Sequence, residues 1–188
     1  MAPALRFAPE RLLAAQGIRV AIFDVDGVLT DGRLWIGEHG ELFKAFSTLD
    51  GHGLKLLPRA GITPVVITGR DSAAVRHRVA ELGIVHAAYG VGDKLAAAAP
   101  LLAQLGVGLD EVAAMGDDWP DLPLLTRAHL AVVPPTAHAE VRAVAHHVTA
   151  AAAGEGAVRE CCDLLMMAAG RYAGLLDAHL GVLDRGTS

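Results

Sequence analysis

The sequence predicts an α/β fold, a doubly wound parallel sheet with an inserted β-hairpin. Three observations predict it. Short β-branched apolar runs alternate with longer alanine-rich stretches of helical spacing. The helical stretches stop at glycine, and the residues that end the apolar runs are acidic or hydroxylic. That alternation is the signature of βαβ units, whose ligands bind beyond the carboxyl ends of the strands.

Taken in order, "MAPALRFAPERLLAAQG" interrupts its apolar residues with Arg6, Glu10 and Arg11, so it lacks the unbroken apolar stretch of a secretory signal. "IRVAIFD" reads as a buried strand that ends in Asp24-Val25-Asp26-Gly27. "RLWIGEHGELFKAFS", Arg33 to Ser47, has partly alternating apolar residues around Gly37-Glu38-His39-Gly40, which predicts a β-hairpin with a four-residue turn. Trp35 and Phe43 on this hairpin are expected to pack against a partner subunit. "ITPVVIT" is the second core strand and ends in Thr68-Gly69-Arg70; "DSAAVRHRVAELG" follows as a helix that Asp71 and Ser72 are suited to start. "VHAAY" is a weaker third strand, and Lys94 opens the helix "DKLAAAAPLLAQLG". "EVAAMG" is the fourth strand, ending in Gly116-Asp117-Asp118 with Asp121 three residues on, and "AHLAVV" is the fifth. His146-His147 is assigned to a surface turn, since no third metal ligand has suitable spacing. "AAAGEGAVRE" leads into one final helix, "VRECCDLLMMAAGRY".

The 188 residues contain no repeat, linker or low-complexity tract and are expected to form one domain, residues 1–188, with the hairpin at about 33–47 and a C-terminal tail and helix at about 150–188. With 53% hydrophobic and 20% charged residues the chain is globular rather than disordered. A net charge of −5 argues against nucleic acid or anionic membrane as a partner. No apolar run approaches the roughly 18 residues of a spanning helix. Cys161 and Cys162 are adjacent, as expected of reduced thiols on a helix. The expected location is cytoplasmic.

Asp24 and Asp26, one residue apart, repel unless a cation or a proton separates their roles. With Asp117, Asp118 and Asp121 they converge on one edge of the predicted sheet, a set of hard oxygen donors suited to a divalent cation, Mg²⁺ by default. Lys94, the Thr68 hydroxyl and the glycine-rich turns are the parts of a phosphate cradle. A carboxylate there can act as a nucleophile and form an aspartyl-phosphate, while a second protonates the leaving oxygen and later deprotonates water.

"DVDGVLTDG", "TGR", Lys94 and "GDDWPD", in that order, resemble the four motifs of the haloacid dehalogenase superfamily of phosphotransferases. Asp31-Gly32 with its hairpin, "TGRDSAAV", "GDKLAAA", "GDDWPDLPLL" and "GEGAVRECCDLL" resemble, more narrowly, the 3-deoxy-D-manno-octulosonate 8-phosphate phosphatase family, from about Ile18 to Leu165. The resemblance implies a Rossmann-like doubly wound parallel sheet without a cap domain. It implies Asp24 as nucleophile and Asp26 as general acid/base, with Mg²⁺ held by Asp24, Asp117 and the backbone carbonyl of Asp26. Thr68, Gly69 and Lys94 would hold the phosphoryl group. Asp118 and Asp121 would bind metal waters or orient the loop; from the residues alone they could equally cap the short helix through "WPDLPLL". Arg70 is a candidate contact for the substrate carboxylate or a surface salt bridge. His52 is placed at the crevice mouth or is structural, and Arg159 either closes a site or pairs with an acid such as Glu155.

An uncapped crevice cannot exclude water unaided. The resemblance implies a homotetramer in which hairpins pack together and neighbouring subunits cover each site. It implies a phosphorylated sugar acid as substrate, 3-deoxy-D-manno-octulosonate 8-phosphate, whose product is a lipopolysaccharide precursor. The same motifs would serve a nine-carbon sialic-type sugar acid 9-phosphate. A non-catalytic oligomerisation module is the reading from another class, and the intact acidic set argues against it. Ala153 replaces the first glycine of the family's tail, and Tyr89 stands where glutamine is expected before Gly90; both bear on sugar specificity.

Overall fold

A computed structural model describes residues 3–181. The chain begins with α1 (Pro9–Ala14) and enters the sheet at β1 (Val20–Phe23). The hairpin follows as β2 (Trp35–Gly37) and β3 (Gly40–Phe43), then α2 (Thr48–Leu56) with a 3₁₀ turn at Leu57–Ala60. Next come β4 (Thr63–Ile67), α3 (Ala73–Glu81), β5 (His86–Ala88), α4 (Lys94–Leu105) and β6 (Val112–Met115). A 3₁₀ turn at Trp119–Asp121 runs into α5 (Leu122–Leu125). The chain closes with β7 (Leu130–Val133), α6 (Ala139–Ala143), β8 (His147–Val148), α7 (Ala157–Ala168) and α8 (Tyr172–His179).

The main sheet is parallel throughout, in the order β5-β4-β1-β6-β7-β8. Both of its faces are covered, which is why β1 and β6 are apolar at every position, and β4 at every position after Thr63, rather than alternating. Along β1, Ala21 and Phe23 enter a core built with Leu54 of α2 and Cys161 and Leu165 of α7. Val20 and Ile22 enter the opposite core with Ala98 and Leu102 of α4, Leu125 of α5 and Val141 of α6. The chain winds outward from β1 through β4 to β5, then crosses to β6 on the other side of β1. That reversal opens a crevice beyond the strand ends. Phe23 is level with Val66 on one side and Met115 on the other, so the residues that follow β1, β4 and β6 emerge at one edge.

The five strands read from the sequence are present, and three features differ from or add to that reading. A sixth strand, β8, pairs with the edge of β7, so His146-His147 is not a surface turn. His147 is buried with Nε2 3.0 Å from Glu160 Oε1, and His146 Nδ1 accepts from the Ala131 amide at 2.9 Å. The single final helix is broken at Gly170, where φ is +67°, into α7 and α8. The glycine-bearing segment after the hairpin is helical: at Gly53 of α2 a Cβ would lie 3.0 Å from Arg159 Cδ and 3.2 Å from Cys162 Cβ of α7. Close helix packing there outweighs the poor helix propensity of glycine. In the hairpin, Trp35 and Phe43 stack on each other, with ring centroids 5.3 Å apart and planes 17° from parallel, and stay half-exposed. Gly37 pairs with Gly40, which leaves Glu38 and His39 in the middle of the hairpin turn.

Candidate active site

Asp24 continues β1 by one residue, its amide donating to Met115 O at 3.0 Å, and its side chain is buried. Lys94 is the first residue of α4, a helix start set by Asp93, whose carboxylate accepts from the Ala96 amide. The buried Lys94 ammonium lies 2.7 Å from Asp24 Oδ1 and 2.6 Å from Asp121 Oδ1. Asp121 Oδ2 accepts from the amides of Asp117 at 3.0 Å and Asp118 at 3.3 Å. Both Asp121 oxygens are thus engaged in shaping the loop after β6.

The Asp117 carboxylate occupies the space beside Gly27. A Cβ on Gly27 would lie 2.1 Å from Asp117 Oδ2, and its φ of +83° already favours glycine. A Cβ on Gly116 would lie 2.4 Å from Asp121 Cγ. Thr68, just past β4, is buried, and its Oγ1 accepts from the Arg70 amide at 3.4 Å across Gly69. Asp24, Asp26, Thr68, Gly69, Arg70, Lys94, Asp117, Asp118 and Asp121 all line one crevice of about 360 Å³.

Burial pushes the Asp24 carboxyl up to about 6, with Asp121 adding to the rise and Lys94 opposing it. Burial, then Asp24 and Asp121, push Asp117 up to about 7. Burial alone would lower Lys94, but Asp24 and Asp121 outweigh it and hold the ammonium above its ordinary value. Oxygens of Asp24, Asp117 and Asp121 lie within 4.8 Å of one another. When all three carboxyls are ionised, three carboxylates against the ammonium of Lys94 leave two negative charges, the charge that a divalent cation balances. Since Asp121 is committed to Lys94 and two amides, Asp24 and Asp117 are the side chains left to hold a metal.

Asp26 has different partners. Its Oδ1 is ion-paired with Lys44, just past β3, and Arg70 Nε lies 3.8 Å from its Oδ2. The Lys44 side chain is 1% exposed and also lies 3.1 Å from Glu41 Oε2. Glu41 in turn accepts from Ser72 Oγ and has Arg70 at 3.6 Å. Ser72 is the N-cap residue of α3, but its hydroxyl is turned to Glu41 and caps nothing. Sequence reasoning missed Glu41, Lys44 and Ser72. The signal available was the pair of opposite charges set among apolar residues in "GELFKAF".

His52 and Arg159 are not brought to this crevice. They line a separate cavity of about 290 Å³ with Leu56, Met166, Tyr172 and His179. Arg159 Nε donates to Asp163 Oδ1 at 2.8 Å, one turn along its own helix, and not to Glu155. His52 lies on a face of α2 that meets the His179 ring edge-on at 5.5 Å. The tail is folded onto its own chain: the Gly154 amide donates to Val28 O at 3.2 Å, and Ala153 is buried. Tyr89 lies under the Arg76 guanidinium, 4.1 Å from the ring centre.

The haloacid dehalogenase-like hydrolase family model matches residues 87–160. 3-Deoxy-D-manno-octulosonate 8-phosphate phosphatase KdsC of Salmonella typhimurium is 42% identical over 164 residues, 87% of each chain. The Moraxella catarrhalis phosphatase of the same name, crystallised with magnesium, phosphate and KDO, superposes with a TM-score of 0.88 at 38% identity, covering 92% of this chain and 99% of that one. A cobalt-bound Haemophilus influenzae phosphatase gives 0.85 at 37% identity, covering 90% and 99%. With identity at this level over most of its length, a parallel sheet in this order and an acidic crevice at the β1 switch point, the chain belongs to the 3-deoxy-D-manno-octulosonate 8-phosphate phosphatase family of haloacid dehalogenase-like hydrolases.

Proposed function

We propose that this protein is a Mg²⁺-dependent phosphatase that hydrolyses 3-deoxy-D-manno-octulosonate 8-phosphate to 3-deoxy-D-manno-octulosonate and phosphate, supplying lipopolysaccharide precursor. The observation that supports this most is the buried Asp24 at the end of β1, held 2.7 Å from Lys94 beside two further carboxylates. Asp24 attacks phosphorus in line and forms an aspartyl-phosphate as the bond to the sugar oxygen breaks. Asp26 gives its proton to that oxygen, then takes one from the water that hydrolyses the aspartyl-phosphate. Lys94 and Thr68, with the Gly69 backbone, hold the phosphoryl oxygens. Asp24, Asp117 and the Asp26 main-chain carbonyl would hold Mg²⁺, which when bound neutralises charge on the transferring group. Asp118 faces the crevice and is suited to metal-bound water, while Asp121 holds the loop and Lys94 in place.

Arg70, half-exposed at the crevice mouth, is the candidate partner for the substrate carboxylate. The eight-carbon substrate is preferred to a nine-carbon sugar acid because the relatives are named for it. A homotetramer is supported by the exposed Leu34, Trp35, Ile36, Leu42 and Phe43 of the hairpin. The chain works as one domain in the cytoplasm on this reading; no helix among the described residues is long and apolar enough to cross a membrane. Phosphate release should be measured from the eight-carbon 8-phosphate and a nine-carbon 9-phosphate, with and without Mg²⁺. Mg²⁺-dependent release with the eight-carbon ester preferred is expected. No release from either ester would overturn the proposal.

A further inference from the structure

Lys44 is a buried cation that the chemistry above leaves unused. It sits 18 residues beyond Asp26 on the inserted hairpin, yet its ammonium reaches back to Asp26 Oδ1. Burying an ammonium is costly unless paired charges and hydrogen bonds compensate it. Here Glu41 supplies a second carboxylate at 3.1 Å, and Ser72, from the turn after β4, donates to the other Glu41 oxygen, with Arg70 3.6 Å from Oε2. The hairpin therefore arrives with its own neutral Lys44–Glu41 pair and uses that pair's spare donor on Asp26. Asp26 itself lies in a turn and its side chain is about one-fifth exposed, with Lys44 and the more distant Arg70 as its charged partners among the described residues.

We propose that Lys44, held by Glu41, is a positioning residue that fixes the rotamer of Asp26 and decides which carboxyl oxygen carries the transferred proton. An ammonium has donors only. Oδ1 therefore accepts from Lys44, which leaves Oδ2 as the oxygen to carry the proton in the transfer step. Arg70 Nε, at 3.8 Å, is too far from Oδ2 to replace that arrangement with a hydrogen bond. In the transfer step the Oδ2–H bond breaks as the sugar oxygen gains the proton and phosphorus moves to Asp24. A carboxyl free to rotate would offer the proton from a range of directions, and proton donation depends on alignment. The proposal rests on Asp26 being the general acid.

The test compares two leaving groups. A sugar alkoxide needs a proton to depart, whereas p-nitrophenolate leaves as its anion. The quantity to compare is kcat/KM, which covers steps through leaving-group departure and excludes hydrolysis of the aspartyl-phosphate. Lys44→Met should lower kcat/KM for the sugar phosphate about a hundredfold, the low end of general-acid effects. Its loss with p-nitrophenyl phosphate should be smaller by about tenfold or more. Lys44→Arg, which restores a cation, should recover most of the difference. Asp26→Asn should show the same split, more strongly. Equal losses of Lys44→Met on both esters, or no loss, would overturn the proposal while the Asp26→Asn split leaves the general acid in place. If Asp26→Asn shows no split, the reading of Asp26 as the acid fails instead. Should Lys44→Met lack native circular dichroism, Lys44→Gln is read by the same ratio, and a ratio like wild type's overturns the proposal.

Discussion

Gly27→Ala isolates the space that the Asp117 carboxylate occupies. The added methyl would lie 2.1 Å from Asp117 Oδ2 and 2.4 Å from its Cγ, where ordinary contact begins at 3.4 Å. The carboxylate must retreat by more than an ångström. Its backbone cannot follow freely, because the Asp117 amide is bonded to Asp121 and its carbonyl accepts from the His138 amide at 2.8 Å. The side chain therefore rotates out of the acidic triad. Alanine at φ +83° adds backbone strain of about 1–2 kcal/mol. An ångström of misplacement at a reacting centre costs on the order of a hundredfold. The expected result is a fall of about a hundredfold in kcat/KM, a raised Mg²⁺ half-saturation concentration and a melting temperature lower by several degrees. Steady-state kinetics over a Mg²⁺ titration, beside thermal unfolding, would measure all three. If only the melting temperature fell, with rate and Mg²⁺ dependence like wild type's, the assignment of Asp117 to the metal would be refuted.

Asp24→Asn should abolish phosphate release while leaving the circular dichroism native, since it removes a charge from a cluster with two to spare; turnover in that variant would reject Asp24 as nucleophile. Metal-free protein should lose stability as pH rises. The folded-state values of about 6 for Asp24 and about 7 for Asp117 lie above the ordinary 3.8, so the folded state binds the extra protons. That contribution is complete below about pH 4 and is lost as pH passes through about 7. Stabilisation by Mg²⁺ should grow across the same window, and melting curves with chelator and with Mg²⁺ that stay parallel from about pH 5 to about pH 8 would contradict it. Asp50→Ala should cost about 2–3 kcal/mol in urea unfolding, because its buried carboxylate accepts from the amides of Arg159 at 2.7 Å and Gly156 at 3.3 Å at the start of α7. A change under about 0.5 kcal/mol would show that those amides find other partners.

The central strands were legible because burial on both faces writes an unbroken apolar run, as in "VAIF". Asp24, Thr68, Lys94 and Asp117 were legible for a related reason: each lies at or just past the end of a strand or at the start of a helix, so topology alone carries it to the crevice. What was missed depends on contacts between distant segments. Helix α2 contains Gly51, approached by Arg78 of α3, and Gly53, approached by Arg159 and Cys162 of α7. Strand β8 has two residues, too few to show a period. His52 follows Asp50-Gly51 and reads as either at the crevice mouth or structural; the turn of α2 carries it to the side facing α8.

The hairpin residues resolve the repulsion between Asp24 and Asp26. Val25 between them is fully buried and anchors the turn in the core, so the two carboxylates cannot separate by moving the backbone apart. They separate by partner instead. Asp24 answers to Lys94 at the head of α4, in a buried cluster that retains two negative charges. Asp26 answers to Lys44, a cation from the hairpin with its own counter-charge in Glu41. One carboxylate is thereby kept in an anionic nest suited to a metal and a nucleophile, while its neighbour is taken out of that charge balance. A chain that lost Lys44 would retain every motif residue and still return both aspartates to competition for the same cations. The hairpin thus belongs to the electrostatics of the site as much as to its outer surface.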